Sequence, residues 1–407
     1  MSEPITLVAT SAFGLEAVIS RELKQLGYED QTVENGRVTF QGDLNAICRC
    51  NLWLRSADRV LVCLGEFTAF DFDDLFEEVR DLEWERWMPP SVQFPVRVST
   101  VRSKINSAKN SQKVVKKAIA ERLKQHYIKD WFPEDGPLYS VSVSILKDKA
   151  SVCIDTTGPS LHKRGYRKLT AGAQLKETLA AGLIQLSYWN RERPFIDPCC
   201  GSGTIPIEAA LIGTNTAPGI NRDFTSEGWQ QLSAELWEAA REEAHDLMRN
   251  DIAFRLQGYD IDPAMIRMAR YHAQQSGMEE HIHFQEQPLS ELSTPRKYGC
   301  LITNPPYGER LGEKEDAEKI YREMKRVCEP LEMWSIYVLT SHPGFERIFG
   351  RKARRRKLYN GRIECTYYQF PGPPPPRKKT PWDQATSASK KSTDEKPVDT
   401  ETANEEE

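Results

Sequence analysis

The chain has 407 residues, 39% of them hydrophobic and 28% charged, with a formal net charge of −4. These are the fractions of a water-soluble protein of two or three domains, and no apolar run is long enough to span a bilayer. The net charge hides an asymmetry: from Thr380 onward three lysines face eight acids, so residues 1–379 carry a net +1 and leave room for basic faces.

Met1-Ser2-Glu3-Pro4 lacks the basic-then-apolar pattern of an export signal, and the nine cysteines are odd in number and scattered. Reduced thiols in the cytoplasm are therefore expected. Ile5 to Ala9 reads as a strand, Gly14 to Leu26 as a helix ended by Gly27, and Gly36 to Phe40 as a second strand. From 51 to 155 a second α+β unit is expected. It has a strand around Val96 and Val98, and a basic helix from Ser111 to Gln125 with Val114, Val115, Ala118, Ile119 and Leu123 on its buried face. Tyr139 to Ile145, turned at Lys147-Asp148-Lys149 into Ser151 to Ile154, reads as a hairpin. A long helix is expected over 173–189. Beyond it, short apolar runs at 194–196, 256–259, 300–302 and 334–339 alternate with helical patterns, the signature of a doubly wound, mostly parallel sheet. Gly372 and four prolines end the folded region, and the acidic remainder reads as disordered.

Two basic clusters stand out, Lys104 to Lys124 and Arg351 to Lys357. Such runs are most often solvated faces, with nucleic-acid contact as the alternative. Three strand ends carry chemistry. Asp197-Pro198-Cys199-Cys200-Gly201-Ser202-Gly203 puts an acid and two glycines in a strand-to-helix turn. Glycines let a ligand approach the backbone, and the acid suits a cationic group such as an amine better than a pyrophosphate. Asp260, at the end of the next strand, can accept both hydroxyls of a ribose, whereas Asp262, directly before Pro263, fits a helix cap. Asn304-Pro305-Pro306-Tyr307 follows Cys300-Leu301-Ile302. It offers an amide, the free carbonyl of Pro305 and an aromatic ring, the parts needed to hold an amino group on a planar base. The cysteines lack zinc-site spacing, and no phosphate-loop or nucleophile-elbow signature occurs.

In this order and at strand ends, the motifs resemble class I S-adenosylmethionine-dependent methyltransferases that act on exocyclic amines. Gly14-Leu15-Glu16, Asn110-Ser111-Gln112, Leu161 to Arg167, Lys176 to Ala181, Ala217-Pro218-Gly219 and Asn304 to Leu311 extend the resemblance to the large-subunit (23S) ribosomal RNA guanine-N2 methyltransferases. The resemblance implies an α/β protein with a ferredoxin-like region at 1–50, an RNA-binding THUMP domain at 45–155 and a linker at 156–172. A doubly wound Rossmann-like methyltransferase domain at 173–371 and a disordered acidic tail at 372–407 follow. It implies S-adenosylmethionine as cofactor, ribosomal RNA as partner, and neither metal nor membrane. Asn304, Pro305 and Tyr307 would be catalytic, with Tyr307 stacking on the flipped base. Asp197, Cys199, Gly201, Gly203, Asp260, Ile261 and Thr178 would hold the cofactor. Lys109, Asn110, Gln112, Lys113, Lys116, Lys117, Arg164 and Arg167 would contact RNA. Where the family places an adenine-binding Asp, this chain has Pro288, with Gln287 beside it. Adenine-N6 methylation of DNA or RNA, and a catalytically dead assembly factor, are the competing readings.

Overall fold

The computed structural model describes residues 4–128, 135–169, 175–249, 256–307 and 313–376. The tail from 377, residues 170–172 of the expected linker, and Gly308 to Leu311 of the last family motif lie outside the described residues. Contacts divide the chain into one unit to Gly372 and a second from Pro373 onward.

The N-terminal half builds one sheet from seven strands: β1 (Ile5–Thr10), β2 (Gln31–Glu34), β3 (Arg37–Gly42), β4 (Arg59–Thr68), β5 (Val96–Val101), β6 (Ser140–Leu146) and β7 (Lys149–Asp155). Their order is β2-β3-β1-β4-β7-β6-β5, antiparallel except for the β5–β6 pair. The sequence suggests two separate small units, but β4 joins them. Arg59 to Val62 pair with β1, and Leu61 to Thr68 pair with β7. Four helices, α1 (Glu16–Gln25), α2 (Leu44–Trp53), α3 (Phe72–Asp81) and α4 (Ala108–Tyr127), complete this half. Ser107 caps α4 by accepting from the Asn110 amide at 3.3 Å. Ser111, Val115, Ala118, Ile119 and Leu123 recur at helical spacing and are buried, which turns the lysines between them outward.

The C-terminal half contains α5 (Glu177–Gln185), β8 (Phe195–Asp197), α6 (Thr204–Gly213), α7 (Ala234–Asp246), β9 (Leu256–Asp260), α8 (Pro263–Ser276), β10 (Ile282–Glu286) and β11 (Cys300–Thr303). It continues with α9 (Glu313–Cys328), β12 (Ser335–Thr340), α10 (Phe345–Phe349), β13 (Arg354–Asn360) and β14 (Ile363–Phe370). The sheet order is β10-β9-β8-β11-β12-β14-β13, parallel through β12 and antiparallel for the last two. This is a doubly wound Rossmann-like fold. The winding reverses between β8 and β11, which places the ligand-binding crevice at their carboxyl ends.

The halves exchange apolar side chains. Leu15 and Val18 of the N-terminal region join the core around β8 and α6. A Cβ on Gly182 would sit 2.7 Å from Leu15 Cδ2, so the glycine admits the leucine. In return Phe224, Trp229, Leu232, Trp237 and Ala240, from the segment between α6 and β9, join the N-terminal core. Trp229 stacks on Tyr139 with centroids 4.4 Å apart. Arg356 of β13 donates to the Gly14 carbonyl at 2.6 and 2.9 Å, and Arg355 pairs with Glu346. Part of the second basic cluster is thus committed to packing rather than free to face a partner.

Candidate active site

Asp197 closes β8 and is 1% exposed. Its Oδ1 accepts from the Thr303 hydroxyl at 2.6 Å and the Cys199 amide at 3.2 Å, while Oδ2 is buried without a partner. Burial, aided by the charge of Asp260, pushes its carboxyl up to about 7. An unpartnered carboxylate oxygen in a dry site is costly, and a cation placed against it would relieve that cost. Burial and the same two acids push the Cys199 thiol far up, so it stays protonated.

The two glycines of the turn differ. Gly201 has φ +51° and open space where a Cβ would be, whereas a Cβ on Gly203 would lie 2.8 Å from the Phe284 ring and 3.0 Å from Ala269. Gly201 is where a ligand can reach the backbone. Gly203 is required for packing α6 on the sheet, and a ligand role for it has no support in this geometry.

Asp260 ends β9. Its Oδ2 accepts from the Gly201 amide and its Oδ1 from the Asp262 amide, both at 2.9 Å, so it braces the glycine turn and keeps one lone pair on each oxygen for other donors. Asp262 caps α8 through the Ala264 amide at 2.8 Å. Ile261, between the two acids, is 71% exposed, an apolar side chain at the mouth of the crevice. Across it, Gln287 donates its amide to the Asp260 carbonyl at 2.9 Å, and Pro288 precedes a short 3₁₀ turn. This bond ties the backbone of Gln287, beside the Pro288 that stands where the family has an adenine-binding Asp, to the end of β9.

Thr303 is the last residue of β11, so its bond to Asp197 ties the first strand end directly to the loop at Asn304. Pro305 is buried and Pro306 exposed. The buried Tyr321 of α9 donates to the Pro306 carbonyl at 2.9 Å and lies 2.9 Å from the Thr340 hydroxyl, fixing the loop from beneath. Among the described residues no donor reaches the Pro305 carbonyl. Tyr307 differs from its expected pose: its ring packs against the core that includes Cys365 and Tyr367, and its hydroxyl donates to Asn304 Oδ1. Burial raises its pKa. In this arrangement Tyr307 orients the Asn304 amide, with its ring packed partly into the core. Neither Thr303 nor Tyr321 stood out in the sequence. A hydroxyl next to Asn304 was the signal available for the first, and none existed for the second.

Thr178 is buried, and its hydroxyl donates to Asp58 at 3.3 Å, toward the N-terminal region. Of the residues expected to contact RNA, Lys109, Asn110, Gln112, Lys113, Lys116 and Lys117 are all exposed on α4. Arg164 and Arg167 are corrections. Arg164 is 3% exposed; it pairs with the fully buried Glu208 at 3.3 Å and donates to the carbonyls of Leu161 and Arg55. Arg167 donates to Thr204 at 2.6 Å and Leu175 at 3.0 Å and pairs with Glu177 at 3.4 Å. Arg164 serves the seam between the halves, buried where no phosphate can reach it, whereas Arg167 ties α5 to α6 within the catalytic half.

Comparison with known proteins matches three profiles to the chain. They are an RMKL-like methyltransferase domain at residues 164–369, an RlmL ferredoxin-like domain at 6–61 and a THUMP domain at 69–155. YpsC of Bacillus subtilis, provisionally named an RNA methyltransferase, is 48% identical over 92% of this chain and 98% of its own length. A ribosomal RNA large subunit methyltransferase K/L of Syntrophotalea carbinolica is 35% identical over 91% of this chain, which spans 54% of that longer protein. A crystal structure from Listeria monocytogenes, described as a predicted N6-adenine-specific DNA methylase, superposes with a TM-score of 0.87. It is 47% identical and covers 91% of this chain and 97% of its own. SMU.472, a methyltransferase complexed with SAH, gives a TM-score of 0.86 at 45% identity, covering 92% of this chain and 99% of its own.

Proposed function

The chain belongs to the RMKL-like methyltransferase family, and from that premise we propose that it methylates the N2 amino group of a guanine in 23S ribosomal RNA, in the cytoplasm, using S-adenosylmethionine. The observation that carries the reading is the unpartnered, buried Asp197 Oδ2 beside the open backbone of Gly201, bonded through Thr303 to the Asn304 loop. The SAH complex of SMU.472 and the K/L name of the longer relative support cofactor and substrate class.

The residues fit that cofactor. Asp197 would take its ammonium group, the remaining lone pairs of Asp260 its ribose hydroxyls, the exposed Ile261 its adenine face and the half-buried Gln287 its adenine edge. When bound, the cofactor supplies a methyl group already activated on a sulfonium. The difficulty lies with the acceptor, whose lone pair is delocalised into the base. Asn304 Oδ1 and the Pro305 carbonyl would accept the two N–H groups of the amine and turn that lone pair out of the ring plane. Asn304 Oδ1 has two lone pairs, so it can keep the Tyr307 hydroxyl and take the substrate at once. Acceleration then comes mainly from position. The exposed lysines of α4 would hold the RNA backbone, and extrusion of the base would cost a few kcal/mol.

The test is methyl transfer to stripped ribosomal RNA, followed by mass mapping of the modified nucleoside. N2-methylguanine is the expected product. Adenine-N6 methylation of DNA is the second reading, favoured by the description of the Listeria structure, and duplex DNA as the better substrate would establish it. Absence of S-adenosylmethionine binding by calorimetry would instead return the assembly-factor reading.

A further inference from the structure

We propose that the seam between the N-terminal sheet and the catalytic domain holds a second binding site, for a small phosphate-class oxyanion, built around Arg55. A cavity of about 180 Å³ opens there, lined by Arg49, Trp53 and Arg55 at α2 and just beyond it, by Gln25 of α1, and by Gln185 and Asn215 of the catalytic half. One water needs roughly 15 Å³ by the same kind of measure, so a tetrahedral anion of five heavy atoms has room. None of these residues lies at the carboxyl end of β8, β9 or β11, so the cavity is separate from the site described above.

Two donors in its lining lack an acceptor. Arg55 and Trp53 are each 8% exposed, and Arg55 Nη1 and Trp53 Nε1 are both buried without a hydrogen-bond partner. The other charges are committed. Arg49 makes two bonds of 2.7 Å to Glu243. Glu22, which also lines the cavity, spends Oε2 on the amides of Arg55 and Ser56 and Oε1 on Gln185. Glu22 and Glu208 act on Arg55 through space, yet burial still pulls its pKa down to about 10. A guanidinium and an indole N–H are donors only. A ligand that offers acceptors only, with negative charge, satisfies both, and the planar fork of arginine is suited to oxyanions. Such an anion would bridge the end of α2 to α5 and the loop after α6, linking the RNA-binding half to the catalytic half.

The experiment uses the full chain in buffer free of phosphate and sulfate. It is titrated with sodium phosphate, with sodium chloride at matched ionic strength as control, and followed by calorimetry and thermal melting. Saturable 1:1 phosphate binding and a rising melting temperature are expected. Trp53→Phe should bind several-fold more weakly and Arg55→Met at least tenfold more weakly. Without phosphate, Arg55→Met should melt at or above wild type, because it removes a buried charge without a partner, and added phosphate should close that gap. Should Arg55→Met fail to fold, Arg55→Lys serves instead. It keeps the charge but loses the fork, and intermediate affinity is expected. A short single-stranded RNA that competes with phosphate would assign the site to a backbone phosphodiester, and lack of competition to the free anion. No saturable binding by wild type, or equal binding by wild type and the folded Arg55 variant, overturns the proposal.

Discussion

Asp197→Asn tests whether the acid at the end of β8 is held in reserve for a cation. In the folded chain its carboxyl is raised from 3.8 to about 7, chiefly by burial. At 1.36 kcal/mol per pH unit, that rise costs the charged folded state about 4 kcal/mol once titration is complete. The sign follows from proton counting. Between pH 3.8 and about 7 the folded chain keeps a proton that the unfolded chain has released, so stability falls as pH rises through this window. About a third of the loss is already taken at pH 5, which leaves roughly 2–3 kcal/mol between pH 5 and 8. Asn matches Asp in shape, can still accept from Thr303, and does not titrate. Whatever constant cost its amide adds, the stability of the variant relative to wild type should improve by roughly 2–3 kcal/mol from pH 5 to pH 8, read from urea midpoints at unchanged slope. Affinity for S-adenosylmethionine should drop at least tenfold at pH 8. For wild type, affinity should rise with pH up to about 7 as the carboxylate forms. Parallel stability profiles for the two proteins would refute the account of Asp197 as a raised, unpartnered acid.

Asn304→Ala should lower kcat by roughly a hundredfold or more while leaving cofactor affinity within a few-fold, checked by single-turnover methylation and calorimetry. Tyr307→Phe and Tyr307→Ala separate two roles: equal losses in kcat mean that the hydroxyl orients Asn304, whereas a normal Phe variant means that the ring stacks on the base. Removing Lys113, Lys116 and Lys117 together should flatten the slope of log affinity against log salt for single-stranded RNA by up to about 2, since each phosphate contact contributes about 0.7. Arg164→Met should leave that slope unchanged and instead cost roughly 3–5 kcal/mol of stability, because it strands Glu208 in the core, as a denaturation midpoint would report.

The strand-end motifs were legible because each needs only local reasoning. An apolar run sets the strand, its last residue faces the crevice, and Gly, Pro or Asp immediately after it dictates the turn. Asp262 as a cap and the outward lysines of α4 follow from spacing alone. Arg164 and Arg167 were misread because charge in a sequence does not say whether a carboxylate waits in the core. Glu208, the partner of Arg164, lies 44 positions later. The Tyr307 pose depends on Asn304 and on the core around Cys365, and Thr178 on Asp58, which precedes it by 120 positions. The shared sheet was missed for the same reason. β4 looks like the start of one unit until Leu7↔Val62 and Leu61↔Asp155 are both known.

The matched ferredoxin-like and THUMP regions stop at residue 61 and begin at residue 69, so most of β4, at Arg59–Thr68, falls between them. A boundary that is clear in sequence space therefore cuts through the middle strand of a sheet. A fragment starting at residue 69 would bare the long edge of β7, whose buried residues Val152, Cys153 and Ile154 would then be open to pairing with another copy. Such a piece should aggregate where the whole N-terminal half stays monodisperse in light scattering. Inheritance can treat the two regions as separable modules, but as a folding unit they are one object, and a load placed on α4 passes through β5, β6, β7 and β4 before it reaches β1.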